Sequence, residues 1–363
     1  MAAHPQENHG SKLPSGARAG LEGLSEVTRD PRVDDRARER LEDVTRALSV
    51  DLAWLSTALA DACDLGPSPG RETAAHLVGA GGKRVRPVAV LLSAAAANGL
   101  GGDRAGRARA VALASELVHS ATLLHDDVID DSHERRGRET ARVVWGNAVS
   151  VLSGDLLLTH ALEVVHPLGD GRILGDMLAT MRKMVEGEIL QLRGRASLDL
   201  SELTYERVVQ GKTASLFAWA CRSGARAVHG DERVASALGA YGAHVGVAFQ
   251  IVDDLLDLVG DPRRTGKSLL ADVREGKPTL PLLRAIARDA TILERVRLVR
   301  ENGDEALAAE IAAAIVQSGA IDEVRARAMS ESSRALSALD GVPRGAAREA
   351  LARVAEDLAA RLA

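Results

Sequence analysis

The chain has 363 residues, with 46 Lys and Arg against 51 Asp and Glu, for a formal charge of -5. No basic excess is available for a polyphosphate track, which argues against a nucleic-acid binder. Aromatic residues make up 2% of a chain that is 46% hydrophobic, so strands are poorly supplied while Ala, Leu and Val supply helices, and the expected class is all-α.

Cys63 and Cys221 lie far apart and outside any CxxC spacing, which suggests neither a disulfide framework nor a zinc site and fits a reducing cytoplasm. No apolar run reaches the roughly 18 residues that span a bilayer, so no transmembrane segment is expected. Residues 1–33 are rich in Gly, Ser, Pro and charge without a sustained apolar period, and a disordered extension is expected there, ahead of a helical domain over 34–363.

From Asp34 onward, Leu41, Val44, Leu48, Leu52, Leu55 and Leu59 recur at helical spacing and stop at the Gly66 to Gly70 loop, which predicts a long first helix. Similar periodic stretches cover about 71–79, 87–97, 107–131, 141–165, 172–193, 201–228, 232–259 and 279–360. None alternates strictly enough to predict a strand.

Within the fourth stretch, Asp126 and Asp130 are one turn apart on one helix face, with Asp127 beside them. The helix is predicted to end soon after Asp131, so these carboxylates repel one another at the end where the macrodipole is already negative. The arrangement returns in Gln250-Ile251-Val252-Asp253-Asp254-Leu255-Leu256-Asp257, again just before a helix stop at Gly260. Hard cations with oxygen ligands resolve both conflicts, and Mg²⁺ in particular accepts one or two carboxylates plus substrate phosphates. A phosphate substrate is therefore expected.

Candidate cationic partners stand nearby. Lys83, Arg84 and Arg86 follow Gly81-Gly82 and precede an apolar stretch, so that backbone amides and side chains can meet one anion. Arg135 and Arg136 follow the first carboxylate cluster, and guanidinium forks suit diphosphate oxygens. His119 is two turns before Asp126 on nearly the same face. Lys212-Thr213 opens an apolar stretch, and Lys267 and Lys277 lie beyond the second cluster.

Taken together, GGKRVRP at 81–87, ELVHSATLLHDDVIDD at 116–131, RRG at 135–137, SVLSGDLLL at 150–158, GKTASLF at 211–217, QIVDDLLD at 250–257, and GKS with EGKPTLPLL at 266–268 and 275–283 resemble the trans-isoprenyl diphosphate synthases, or polyprenyl synthetases. The resemblance runs from about residue 35 to the C-terminus. It implies an isoprenoid-synthase-type helical bundle around a central cavity, a homodimer, and condensation of an allylic diphosphate with isopentenyl diphosphate. Asp126 and Asp130, with Asp127, would then hold two Mg²⁺ on the allylic diphosphate, and Asp253 a third, supported by Asp254 and Asp257. Lys83, Arg86, His119 and Arg136 would bind isopentenyl diphosphate. Arg135, Lys212, Thr213, Gln250 and Lys267 would hold the allylic diphosphate.

Ala121 and Thr122 lie one turn before Asp126, about 5 to 6 Å deeper, and both are small. Ser115 and Ala114 follow two turns further, so a tunnel beside this helix would stay open for several isoprene units, with Leu156, Leu158 and Leu162 as candidate floor residues. The segment is most similar to the octaprenyl and nonaprenyl synthases of quinone side chains, primed by farnesyl or geranylgeranyl diphosphate. A synthase of C15 to C20 products, a terpene cyclase and a non-catalytic partner subunit are the alternatives.

Overall fold

The computed structural model describes residues 35–259 and 270–360. The expected N-terminal extension, the expected helix stop at Gly260 and Lys267 lie outside the described residues. The first helix, α1 (Asp35–Cys63), buries Leu48, Leu52, Leu55 and Leu59 along one stripe, as their spacing predicts. It leads through α2 (Gly70–Gly79) and α3 (Val85–Asn98) to α4 (Asp103–Ile129), the helix that carries the first carboxylate cluster.

Beyond α4 the chain departs from the expectation of helix alone. A minimal hairpin pairs β1 (Glu134–Arg135) with β2 (Arg138–Glu139). Arg136 and Gly137 at its tip have φ of 54° and 74°, the left-handed pair that a two-residue hairpin requires. The stretch predicted as one helix over 141–165 is two, α5 (Ala141–Trp145) and α6 (Asn147–Val165), parted at Gly146, whose φ of 85° only glycine adopts at no steric cost.

Next come α7 (Gly171–Ser197) and α8 (Glu202–Val208), followed by a π-helical turn over Val209–Ala214 that runs into α9 (Ser215–Ala227). The second cluster sits near the end of α10 (Glu232–Val259). After α11 (Ala271–Glu275), the stretch predicted as continuous over 279–360 divides into α12 (Leu280–Arg288), α13 (Thr291–Asn302), α14 (Glu305–Gln317), α15 (Ala320–Ala338) and α16 (Ala346–Ala360).

α9 is the hub. Leu216, Phe217, Trp219, Ala220 and Cys221 are buried where it packs against α3, α4, α7 and α10. Glycines allow the tightest of these crossings: a Cβ on Gly224 would overlap the Val90 carbonyl of α3, and one on Gly242 the Phe217 carbonyl. A second apolar core joins Tyr205, Ile251, Leu255 and Leu258 to α12–α15, so the end of α10 is gripped on a separate side. By length and composition alone, α6 (continued to Leu168) and α10 are apolar enough to cross a membrane. Half of the α10 window is buried inside the protein, whereas α6 leaves much of its apolar surface outside.

Because Gly242 meets main-chain atoms that cannot swing aside, Gly242→Ala is expected to lower folding stability by about 1–3 kcal/mol. The denaturant midpoint of the variant measures this; an unchanged midpoint would show that α9 and α10 can separate without cost.

Candidate active site

The two carboxylate clusters lie at the C-terminal ends of α4 and α10. Asp126 and Asp127 occupy the last turn of α4, and Asp130 is its cap. Each is answered by a different cation. Asp126 Oδ2 lies 3.4 Å from Lys212 Nζ. Arg135 donates to Asp127 at 2.9 Å, and Arg195 to Asp130 at 2.5 Å. Burial pushes the Asp126 carboxyl above its ordinary range, with Lys212 opposing and Asp130 reinforcing the effect. Asp127 is fully buried and likewise raised by burial, against the pull of Arg135, and its Oδ2 has no hydrogen-bond partner.

The π turn joins the two helix ends. Its wider winding, an occasional feature of functional sites, places Lys212 and Thr213 side by side with opposite tasks. Lys212 reaches Asp126 and also forms an ion pair with Glu188 of α7. Thr213 Oγ1 donates to Gln250 Oε1 at 2.8 Å, Gln250 Nε2 donates to Asp254 Oδ1 at 2.9 Å, and the Tyr205 hydroxyl donates to Asp254 Oδ2 at 2.7 Å. Both Asp254 oxygens are thus occupied, and burial with nearby Asp272 lifts its carboxyl to about 8. Asp257 accepts from the amides of Ala271 and Asp272, at 3.2 and 3.1 Å, and so holds the start of α11. Asp253 is half-buried one residue before Asp254.

An ionic chain also links the clusters. Arg195 stands 3.8 Å from Glu275, and Lys277 lies 2.8 Å from Glu275 and 3.4 Å from Asp272. Lys277 keeps its proton more firmly than an ordinary lysine, because Asp272 and Glu275 outweigh the effect of its burial.

On the other flank the charges are positive. Lys83 is exposed in the loop before α3; Arg84, with φ of 49°, pairs with the buried Glu116. Arg86 is buried with its guanidinium 4.8 Å from the centre of the Phe217 ring, and its Nε has no hydrogen-bond partner. Burial lowers its pKa to about 10, against the pull of Glu116. His119 is pushed well below the usual imidazole range by burial and by Arg86, Arg136, Arg135 and Arg84, so it is neutral at pH 7. The hairpin tip lays Arg136 against Gly82, where an added Cβ would come 3.1 Å from Arg136 Nη1. Among the described residues the buried Glu116 carboxylate faces this group of guanidinium ions, whose positive charge suits an anion.

The donors near Asp126, Asp130 and Asp253 are carboxylate oxygens, the set that Mg²⁺ prefers. Among the described residues no three His, Cys, Asp or Glu side chains form a closed metal cage. The orphaned Asp127 oxygen and the open arrangement fit an ion held by one or two carboxylates and completed by phosphate oxygens.

Below Asp126, Ala121 is fully buried, and Thr122 donates its hydroxyl to the His119 carbonyl of its own helix at 2.8 Å. Leu156 is 41% exposed and packs on Gly66, so it faces α1 and α2 rather than flooring a tunnel. Sequence reasoning did not select Glu116, Glu188, Arg195 or Tyr205. Glu188 directly follows Gly187, the glycine at which α7 meets the Lys212 backbone.

A family model described as polyprenyl synthetase matches residues 70–315. The all-trans-nonaprenyl-diphosphate synthase (geranyl-diphosphate specific) of Rhodobacter capsulatus is 39% identical over 76% of this chain and 84% of its own length. The short chain isoprenyl diphosphate synthase of Methanothermobacter thermautotrophicus is 38% identical over 89% of this chain and 93% of its own. Among solved structures, a polyprenyl synthase from Caulobacter crescentus complexed with calcium and isoprenyl diphosphate superposes with a TM-score of 0.82 at 37% identity, covering 89% of this chain and 98% of that one. The chain belongs to the polyprenyl synthetase family of all-helical prenyltransferases.

Tyr205→Phe leaves Asp254 Oδ2 without its donor in a buried setting. The expected loss is about 1–3 kcal/mol of folding stability, read from the denaturant midpoint.

Proposed function

We propose that the protein transfers an allylic prenyl group onto successive isopentenyl diphosphates to give a long-chain all-trans product, with farnesyl or geranylgeranyl diphosphate as primer. The observation that carries this is the presence of two unlike anion-binding flanks: carboxylates spaced by Lys212 and Thr213 on one side, and Arg86, His119 and Arg136 with a single counter-charge on the other. A cyclase needs only the first.

On the first flank, Asp126, Asp130 and Asp253 would hold Mg²⁺, three ions per site, with Asp127, Asp254 and Asp257 supporting them. When bound, the metal neutralises the diphosphate and stabilises the charge that develops as it leaves. Arg135, Lys212, Thr213, Gln250 and Lys267 hold the allylic diphosphate. Lys212 is suited to this because Asp126 and Glu188 outweigh the effect of its burial and keep it protonated. Lys83, Arg86 and Arg136 grip isopentenyl diphosphate, and neutral His119 donates a hydrogen bond without adding charge.

The allylic carbon–oxygen bond breaks with its electron pair on the diphosphate. The isopentenyl double bond then attacks the allylic carbon, and the proton lost from the resulting cation passes to the released diphosphate. No side chain is assigned as base. Charge placed in advance around the leaving group is the main source of rate.

Ala121 and Thr122 support the long-chain product, because both side chains are small where a bulky one would stop growth. The relatives named above make both long and short products, so size analysis decides: with farnesyl diphosphate, labelled isopentenyl diphosphate and Mg²⁺, products beyond C20 are expected, and a ladder ending at C20 would overturn the assignment. Ala121→Phe is expected to shorten the product. Asp126→Ala and Asp253→Ala are each expected to lower turnover at least about a thousandfold, the loss of about 4 kcal/mol, with an unchanged circular dichroism spectrum.

The chain acts in the cytoplasm as a homodimer in this proposal. Leu152 on α6, with Leu178, Val185 and Ile189 on α7, are exposed in the monomer and offer apolar surface to a partner. A second copy of the chain covers it. Ile189→Glu is expected to halve the mass measured by light scattering; a monomeric wild-type protein, or activity that appears only with a different subunit, would refute the homodimer.

A further inference from the structure

Glu188 has no task in the reaction described above, yet its position is closely determined. Its side chain is 12% exposed, and it forms an ion pair with Lys212, whose Nζ is also 3.4 Å from Asp126 Oδ2. One ammonium therefore stands between two carboxylates, and the shorter contact is with Glu188. The backbone beneath is fixed by two glycines. A Cβ on Gly187 would come 2.8 Å from the Lys212 amide nitrogen, and one on Gly211 2.7 Å from the Lys183 carbonyl oxygen. Glu188 and Lys212 each directly follow one of these glycines, so the close crossing of α7 and the π turn sets them face to face.

We propose that Glu188 is a positioning residue that draws Lys212 to one side and thereby keeps Asp126 open to the divalent cation. The inference rests on the assignment of Asp126 as a metal ligand. Its physical basis is competition. A partly buried ammonium pairs with whichever carboxylate is nearest, because the attraction grows as water is excluded. With Glu188 in place, the lysine has a partner other than Asp126. Without that carboxylate, the ammonium moves onto Asp126, and an entering metal ion must displace it. Glu188 also holds the ammonium at the α7 side of the site, ready for the allylic diphosphate.

The test measures Mn²⁺ binding without turnover, by the loss of the free-ion paramagnetic resonance signal in the presence of inorganic diphosphate. Glu188→Gln is expected to weaken Mn²⁺ binding about tenfold, and Glu188→Asp to restore most of it. In a Lys212→Met background the effect of Glu188→Gln is expected to fall within about twofold, because the competitor is gone. A persistent tenfold loss in that background would show that Glu188 acts on the metal directly and would overturn the positioning role. In steady state, Glu188→Gln is expected to raise the KM for the allylic diphosphate and leave that for isopentenyl diphosphate unchanged, a split that simple misfolding does not produce. If Asp126→Ala binds Mn²⁺ as the wild type does, the metal assignment itself fails; if Asp126→Ala loses Mn²⁺ while Glu188→Gln keeps it, only the positioning role fails.

Discussion

Negative charge at the wrong end of a helix is the constraint on which this molecule depends. The carboxyl end of an α-helix already carries partial negative charge, and α4 and α10 both add aspartates there. At α10 neutral donors answer this charge, Tyr205 and Gln250 on Asp254 and backbone amides on Asp257, whereas the tip of α4 calls for cations. The protein supplies them from elsewhere in the chain: Lys212 for Asp126, Arg135 for Asp127, Arg195 for Asp130. Each cation comes from a different element, so the α7 helix, the hairpin and the π turn are all drawn to the tip of α4. A diphosphate and its metal ions enter a place where charge has been concentrated and then partly compensated.

The rest of the architecture makes that concentration tolerable. α9 and its glycine crossings build a rigid centre, and the second apolar core grips the end of α10 independently. Loss of water raises the carboxyls of Asp126, Asp127 and Glu188 together, while Lys212 and Arg135 pull the other way. Opposite them, burial lowers the pKa of Arg86 and His119.

Much of this was legible in the sequence, for identifiable reasons. Helices with one apolar stripe, such as α1, are read directly from spacing. The acidic clusters stood out because residue type and helix position conflict. Other features left no periodic trace. The hairpin consists of two-residue strands, too short for alternation to show. The π turn adds one residue of winding inside an otherwise continuous helical pattern. Glu188 and Arg195 escaped because α7 shows apolar residues on its outer face as well, Val185 and Ile189 among them, so its inward charged stripe looked like ordinary solvated surface.

The chain of ions from Asp130 through Arg195 and Glu275 to Lys277 and Asp272 has a mechanical meaning. Interlocked side chains resist sliding, whereas a string of alternating charges can lengthen and re-pair link by link. The α11 segment is therefore fastened to the tip of α4 by partly buried charges, which dissolved salt screens far less than it does exposed pairs.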